Sequence, residues 1–384
     1  MYTLNRLKIT GFRRLLDFDL KIRSPMVMIG ANGVGKTSVL DVFSLLASSA
    51  SGKLAEKLSE LGGFSSVLTR DKAIKSSFFV EMGVPKHKPL EYELTLSQQA
   101  MGYAIESETL NQERPEQSKP GPFKHIDSKI GDIRYFDPQA ERFVRPDWQY
   151  NITETSLSQV PKMFKEPEAL RHVLGGTTLY HALDVGPRAP VKLPQQMKPA
   201  TMPGFQGEDL APFLYYLREE NPDRYETIID TLKSAFHDFE TLNFPPVAAG
   251  MLTVTWKDRN FQKPLYLNEL SEGTLRFLWL VSLLQSPVLP AVTMIDEPEV
   301  SLHPELLAIL ADVVRGAAKR TQLIVATHSD RLIRYMEPSE VAVMDISEDG
   351  FTQAAWADSL DLDAWLRDYS MDEVWRMGRM GGRS

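Results

Sequence analysis

The sequence predicts an α/β fold in which a mixed central sheet carries an antiparallel β subdomain and a helical insert. Its last third alternates strand-like and helix-like apolar runs, the pattern of a parallel sheet covered by helices. Its early part reads instead as short strands joined by turns, with a Gly-rich loop set between one strand and a helix.

Residues 4–9, 18–22 and 26–29 alternate or cluster apolar side chains as strands do, and Gly11 and the Ser24-Pro25 pair divide them. A helix is expected over 37–46, because Val39, Leu40, Val42, Phe43, Leu45 and Leu46 recur at helical spacing. Residues 76–82 and 91–96 flank His87-Lys88-Pro89 and read as an antiparallel hairpin. The stretch 106–124 is polar, proline-bearing and aperiodic, so a mobile loop is expected there. Residues 185–207 carry five prolines and are expected to be irregular, and two helices should follow from 208, the clearer over 223–236. The closing alternation places strands at 252–256, 291–295, 322–326 and 341–345 and helices at 272–284 and 304–319. No heptad pattern persists, which argues against a long coiled-coil arm. These readings divide one domain, 1–384, into an N-terminal lobe 1–105, an insert 106–250 and a C-terminal lobe 251–384.

Composition removes several classes of chemistry. With no cysteine, disulfides, thiol nucleophiles, iron–sulfur clusters and thiolate zinc sites are excluded. The seven histidines form no i, i+4 pair on a helix, so a dedicated zinc site is not expected. No apolar run approaches the roughly 20 residues that span a bilayer, and the N-terminus lacks the apolar core of a signal peptide, so the expected location is cytoplasmic, without membrane contact. A net charge of −8 gives no bulk signal for nucleic acid.

Residues Gly30-Ala31-Asn32-Gly33-Val34-Gly35-Lys36-Thr37 form a complete G-x-x-x-x-G-K-[ST] loop after a strand and before a helix. The loop turns backbone N–H groups toward phosphate oxygens, joined at the helix start by Ser38; Lys36 reaches the β- and γ-phosphates and the Thr37 hydroxyl is placed for Mg²⁺, which implies ATP and Mg²⁺ as ligands. An apolar strand then ends in Asp296 and Glu297, suited to holding the metal through water and to acting as general base, respectively. Ser271 and Gly273 open a helix that is suited to a γ-phosphate and is equally an ordinary N-capped start. Ser301-Leu302-His303 and Thr327-His328-Ser329 are weak signals alone.

In their order and spacing these segments resemble the ATP-binding-cassette (ABC) ATPases, specifically the RecF-like and SMC-like branch that includes the ATPase part of OLD (overcoming lysogenization defect) proteins. The resemblance covers nearly the whole chain and implies a P-loop NTPase with ABC-ATPase head architecture. By it, Ser271 to Thr274 is the signature, departing from the common LSGGQ at Glu272 and Thr274 as RecF-like members do; Asp296 with Glu297 is Walker B; Ser301 to His303 is the D-loop; His328 is the H-switch. Ile9-Thr10-Gly11-Phe12-Arg13 looks like that branch's first strand and Phe-Arg turn, whose Arg lies by the nucleotide, and the tail with Trp375 and Gly381-Gly382 looks like that of stand-alone predicted ATPases of the same branch. For the Q-loop, which couples Mg²⁺ to movement between lobes, the resemblance favours Gln159, with Gln139 and Gln149 as alternatives.

The resemblance further implies a homodimer with ATP sandwiched between the P-loop of one subunit and the signature of the other. Three functional readings compete. One is a RecF/OLD-like ATPase switch that clamps DNA or regulates an effector in repair or anti-phage defence; another is a transporter's ATPase subunit, disfavoured by the long insert. The third is an ATP-dependent nuclease like the OLD proteins, for which too few residues follow His328 to supply the nuclease domain, leaving a separate nuclease as a partner.

Overall fold

Two sheets grip one helix. The structure, a computed structural model, describes residues 2–100, 102–114 and 121–381. An eight-stranded antiparallel sheet runs in the order Leu15–Lys21, Thr3–Phe12, Lys75–Gly83, Leu90–Gln99, Gly102–Gln112, Phe123–Lys129, Tyr135–Asp137, Arg142–Val144. A six-stranded sheet runs in the order Thr177–Tyr180, Val292–Asp296, Gln322–Thr327, Met26–Ile29, Val341–Ile346, Thr352–Trp356; its first five strands are parallel and its last antiparallel. This is the mixed central sheet with an antiparallel subdomain that the sequence predicts.

The parallel strands are covered on both faces, and their composition follows from that. Gln322–Thr327 and Met26–Ile29 are buried at every position. Such strands read as continuous apolar runs rather than alternating ones. Alternate side chains serve two cores. Val27, Ile29, Leu323 and Val325 face the helices Glu272–Leu284 and Leu306–Ala318. Met26, Met28, Ile324 and Ala326 face the helix Lys36–Ala50, whose other side packs on Leu7, Ile9, Phe78 and Val80 of the antiparallel sheet. Within that helix Val39, Leu40, Val42, Phe43, Leu45 and Leu46 are almost wholly buried. Each such side chain contributes about 1.5–3 kcal/mol relative to exposure, so the helix is held rigidly between the sheets.

The expected loop over 106–124 is corrected. Gly102–Gln112 and Phe123–Lys129 are paired strands, with Leu110 opposite Ile126 and both fully buried, while residues 115–120 lie outside the described residues. The lobe boundary placed at 105/106 therefore cuts through a strand, and the first part of the insert is sheet rather than helix. The apolar alternation is masked because an inward position is occupied by Glu108. Its carboxylate accepts hydrogen bonds from Ser156 N (2.5 Å), Leu157 N (2.7 Å) and the Tyr92 hydroxyl (3.0 Å). Burial pushes this carboxyl up, and the backbone donors oppose the shift. Glu108 thus ties the sheet to the short helix Ser156–Gln159.

The two helices expected from 208 appear as Leu210–Glu220 and Pro222–Ala235, the second opening on proline where no N–H is needed. The strand expected at 252–256 divides into Met251–Leu252 and Thr255–Asp258, which join separate small sheets. Among the described residues no helix is long and apolar enough to cross a membrane.

Candidate nucleotide site

The buried strand Met26–Ile29 delivers the chain to the Gly30–Thr37 loop at one end of the six-stranded sheet. Gly33 and Gly35 adopt φ of +79° and +106°, and a Cβ on Gly35 would meet Thr352 Oγ1 at 2.8 Å. Only glycine takes that backbone without strain. Helix Lys36–Ala50 starts on Gly35 with no side-chain cap, so its first N–H groups remain available to an anion. The loop borders a cavity of about 330 Å³ lined by Arg13, Arg14, Gly33, Lys36, Thr37, the buried Ser38 and His328, with Asn32 exposed on the loop.

Lys36 is buried, and its ammonium donates to Gly30 O (2.6 Å) and Ala31 O (3.0 Å). Burial pulls its pKa down to about 8, against the opposing charges of Glu297, Asp296 and Glu299. Its Nζ also lies 3.2 Å from His328 Nδ1. Burial and the Lys36 charge lower the His328 pKa against the opposing Glu297 and Asp296 carboxylates, which favours a neutral ring; with the Lys36 ammonium donating to Nδ1, the ring proton belongs on Nε2. That Nε2 faces Glu297 Oε1 at 3.4 Å.

Parallel pairing of Val292–Asp296 with Gln322–Thr327, registering Asp296 with Ala326, brings the acidic pair beside His328. Glu297 has a left-handed φ of 52° and donates its N–H to Ala326 O at 2.8 Å. A non-glycine residue held there is strained, and such strain is concentrated at functional sites. Burial, then the neighbouring Glu297, pushes the Asp296 carboxyl up, while His181, His328 and Lys36 oppose the shift. The structure thus brings Lys36, Asp296, Glu297 and His328 to one mouth, from segments far apart in the chain.

The model of the family described as "AAA domain, putative AbiEii toxin, Type IV TA system" matches residues 26–334, which include the loop, the acidic pair and His328. The chain belongs to this family. This AAA-domain chain also shares its fold with solved SMC heads. The SmcHead bound to the C-winged helix domain of ScpA is 12% identical over 95% of this chain and 99% of that one, with a TM-score of 0.55. The Smc head domain with an extended coiled coil, bound to the C-terminal domain of ScpA derived from Pyrococcus furiosus, is 11% identical over 98% of each chain, with a TM-score of 0.54. At these identities the likeness shows the fold, an SMC-type ABC-ATPase head. No curated protein matches the chain significantly.

In this AAA domain the Q-loop expectation is corrected. Gln159 lies at the far end of helix Lys36–Ala50, where neighbouring Thr155 donates to Ser49 O at 2.7 Å. Fifteen residues of helix put it about 20 Å from the phosphate loop. Its amide is used locally: Oε1 accepts from Asn151 N (2.7 Å) and Nε2 donates to Asn151 O (2.9 Å). Gln139 and Gln149 line no part of the phosphate cavity either. The residue beside Asp296 is instead His181, which sequence reasoning missed. It follows the edge strand Thr177–Tyr180, whose register sets Tyr180 against Ile295, and its Nδ1 lies 3.7 Å from Asp296 Oδ2. The signal was a four-residue β-rich run after Gly175-Gly176, too short to stand out alone.

Arg13, with φ of 47°, enters the cavity wall and is held there by Asp41 Oδ2 at 2.5 Å. Ser271 and Gly273 lie elsewhere. Ser271 caps helix Glu272–Leu284 by accepting from Thr274 N at 3.1 Å, and it is exposed. Gly273 packs so tightly on the next turn that a Cβ would lie 2.5 Å from Ser301 O. For the metal, the Thr37 hydroxyl and Asp296 carboxylate are hard oxygen donors that fit Mg²⁺. Among the described residues no group of three or more His, Asp or Glu could hold an ion unaided. That suits Mg²⁺, which usually binds one or two carboxylates together with substrate phosphates.

Proposed function

We propose that the chain binds ATP on the Gly30–Thr37 loop, hydrolyses it, and uses the cycle as a homodimeric switch over a separate effector protein in anti-phage defence. The observation that carries this reading is that His328, which with Lys36 lines the phosphate cavity, lies 3.2 Å from Lys36 and 3.4 Å from Glu297, and so joins the phosphate loop to the Asp296-Glu297 pair, while Ser271 is exposed away from that cavity. The loop N–H groups and the Lys36 charge would hold the β- and γ-phosphates. Thr37 and Asp296 would hold Mg²⁺, which supplies neutralisation of the phosphate charge. Glu297 would take the proton from the attacking water, and the neutral His328 would orient that carboxylate through Nε2–H. Arg13 would lie along the nucleotide. Ser271 and Gly273 would complete the site of the partner subunit, since they are exposed or half-exposed and contribute nothing to their own cavity.

The family description, a putative toxin of a type IV TA system, supports the defence setting over repair. The similar SMC heads are each bound to a ScpA domain, which supports a separate protein partner. The net charge of −8 predicts that duplex DNA does not alter turnover at physiological salt. Comparing Mg²⁺-dependent ATP hydrolysis with and without duplex DNA checks this: a rate that rises several-fold on DNA would replace effector control with DNA sensing.

A further inference from the structure

The turn that follows Glu297 is built around a second glutamate for which the reaction has no role. Glu299 Oε1 accepts three hydrogen bonds from the neighbouring strand end: the Thr327 hydroxyl at 2.5 Å, His328 N at 3.2 Å and Ser329 N at 3.2 Å. Its Oε2 is buried with no hydrogen-bond partner. A buried, half-satisfied carboxylate is costly, so stability alone is a poor account of it. The same turn reaches the opposite way to the helix that Ser271 opens. Ser301, at φ of 64°, lays its carbonyl against Gly273, and its hydroxyl lies 3.0 Å from Arg276 Nη1. Arg276 also donates to Val300 O at 3.4 Å. One short turn therefore touches the Ser271 helix at one end and grips the main chain of His328 at the other.

We propose that Glu299 is a positioning residue that fixes His328 against Glu297 and ties its placement to the seating of the Ser271 helix. This rests on the ATPase reading above. Any shift of that helix when a second subunit docks must move the 300–302 turn, because Gly273 and Ser301 leave no space between them. Glu299 passes the shift to the N–H groups of His328 and Ser329. His328 then meets Glu297 correctly only when the turn is seated. A packed turn that touches both elements supplies the physical connection that coupling requires, and the double-variant test below asks whether it carries any.

Glu299→Ala removes all three acceptor contacts, whereas Glu299→Gln keeps the accepting oxygen. The expected result for Glu299→Ala is kcat reduced about tenfold with KM and nucleotide affinity little changed, and substantial recovery in Glu299→Gln. Because Glu299 acts through His328, the Glu299→Ala/His328→Ala double variant should be no slower than His328→Ala alone. Should Glu299→Ala not fold, Thr327→Val, which deletes one donor at nearly constant shape, carries the same test with a smaller fall in kcat. Wild-type kcat in Glu299→Ala or, where that variant does not fold, in Thr327→Val, additive losses in the double variant, or parallel loss of nucleotide binding and melting temperature would each overturn the proposal. A wild-type chain that does not hydrolyse ATP at all would instead remove the ATPase reading on which it rests.

Discussion

Lys36→Ala is expected to weaken ATP binding by about a hundredfold or more, because it deletes the buried point charge opposite the phosphates. The site makes the loss larger than a surface lysine would. Lys36 is held by Gly30 O and Ala31 O on one side and His328 on the other, and its ammonium is already destabilised by burial. Phosphate oxygens relieve that destabilisation, so the interaction is paid back on binding, and alanine forfeits it. The loop itself should survive, since Gly33, Gly35 and the buried strand before it set its shape independently of the lysine. Titration with a fluorescent ATP analogue checks the prediction, with melting temperature as the control. Undiminished affinity would remove the phosphate-loop assignment.

Glu297→Gln is expected to keep ATP affinity while lowering kcat about a thousandfold, within the range lost when a general base is removed. The amide preserves the shape of the side chain and retains an oxygen for His328 Nε2, 3.4 Å away, but it cannot take a proton from water. The backbone geometry at φ of 52° is unaffected, since glutamine suffers no more strain there than glutamate. Single-turnover hydrolysis beside equilibrium binding separates the two effects. Rapid turnover in this variant would move the base elsewhere, with His328 the first suspect.

The sequence made visible what depends on short contiguous patterns. The Gly30–Thr37 loop needs only two glycines, a lysine and a hydroxyl at fixed spacing, and strands covered on both faces, such as Gln322–Thr327, show themselves as unbroken apolar runs. Two features stayed hidden for opposite reasons. The part of strand Gly102–Gln112 from residue 106 onward reads as loop because Glu108 occupies an inward position, where its partners on Ser156, Leu157 and Tyr92 are invisible in local composition. His181 was passed over because its neighbour Asp296 lies more than a hundred residues away and is reached only through the register of a four-residue edge strand. Gln159 was attractive by chain order, yet chain order does not say at which end of helix Lys36–Ala50 a segment returns. The exposure of Ser271 fits a contact with another chain, but exposure in one subunit does not itself reveal what covers it.

The central claim is that each hydrolytic site is shared between two chains. A Ser271→Arg chain and a Lys36→Ala chain should each be inactive alone, one for want of a docking serine and the other for want of its phosphate lysine. Mixed, they form heterodimers with one site carrying both defects and one carrying neither. The ATPase rate of an equimolar mixture tests this directly. Recovery to about a quarter of the wild-type rate is predicted, since about half of the dimers are mixed and each holds one intact site of two. Ser271→Arg hydrolysing ATP at the wild-type rate by itself, as a monomer, would contradict the account.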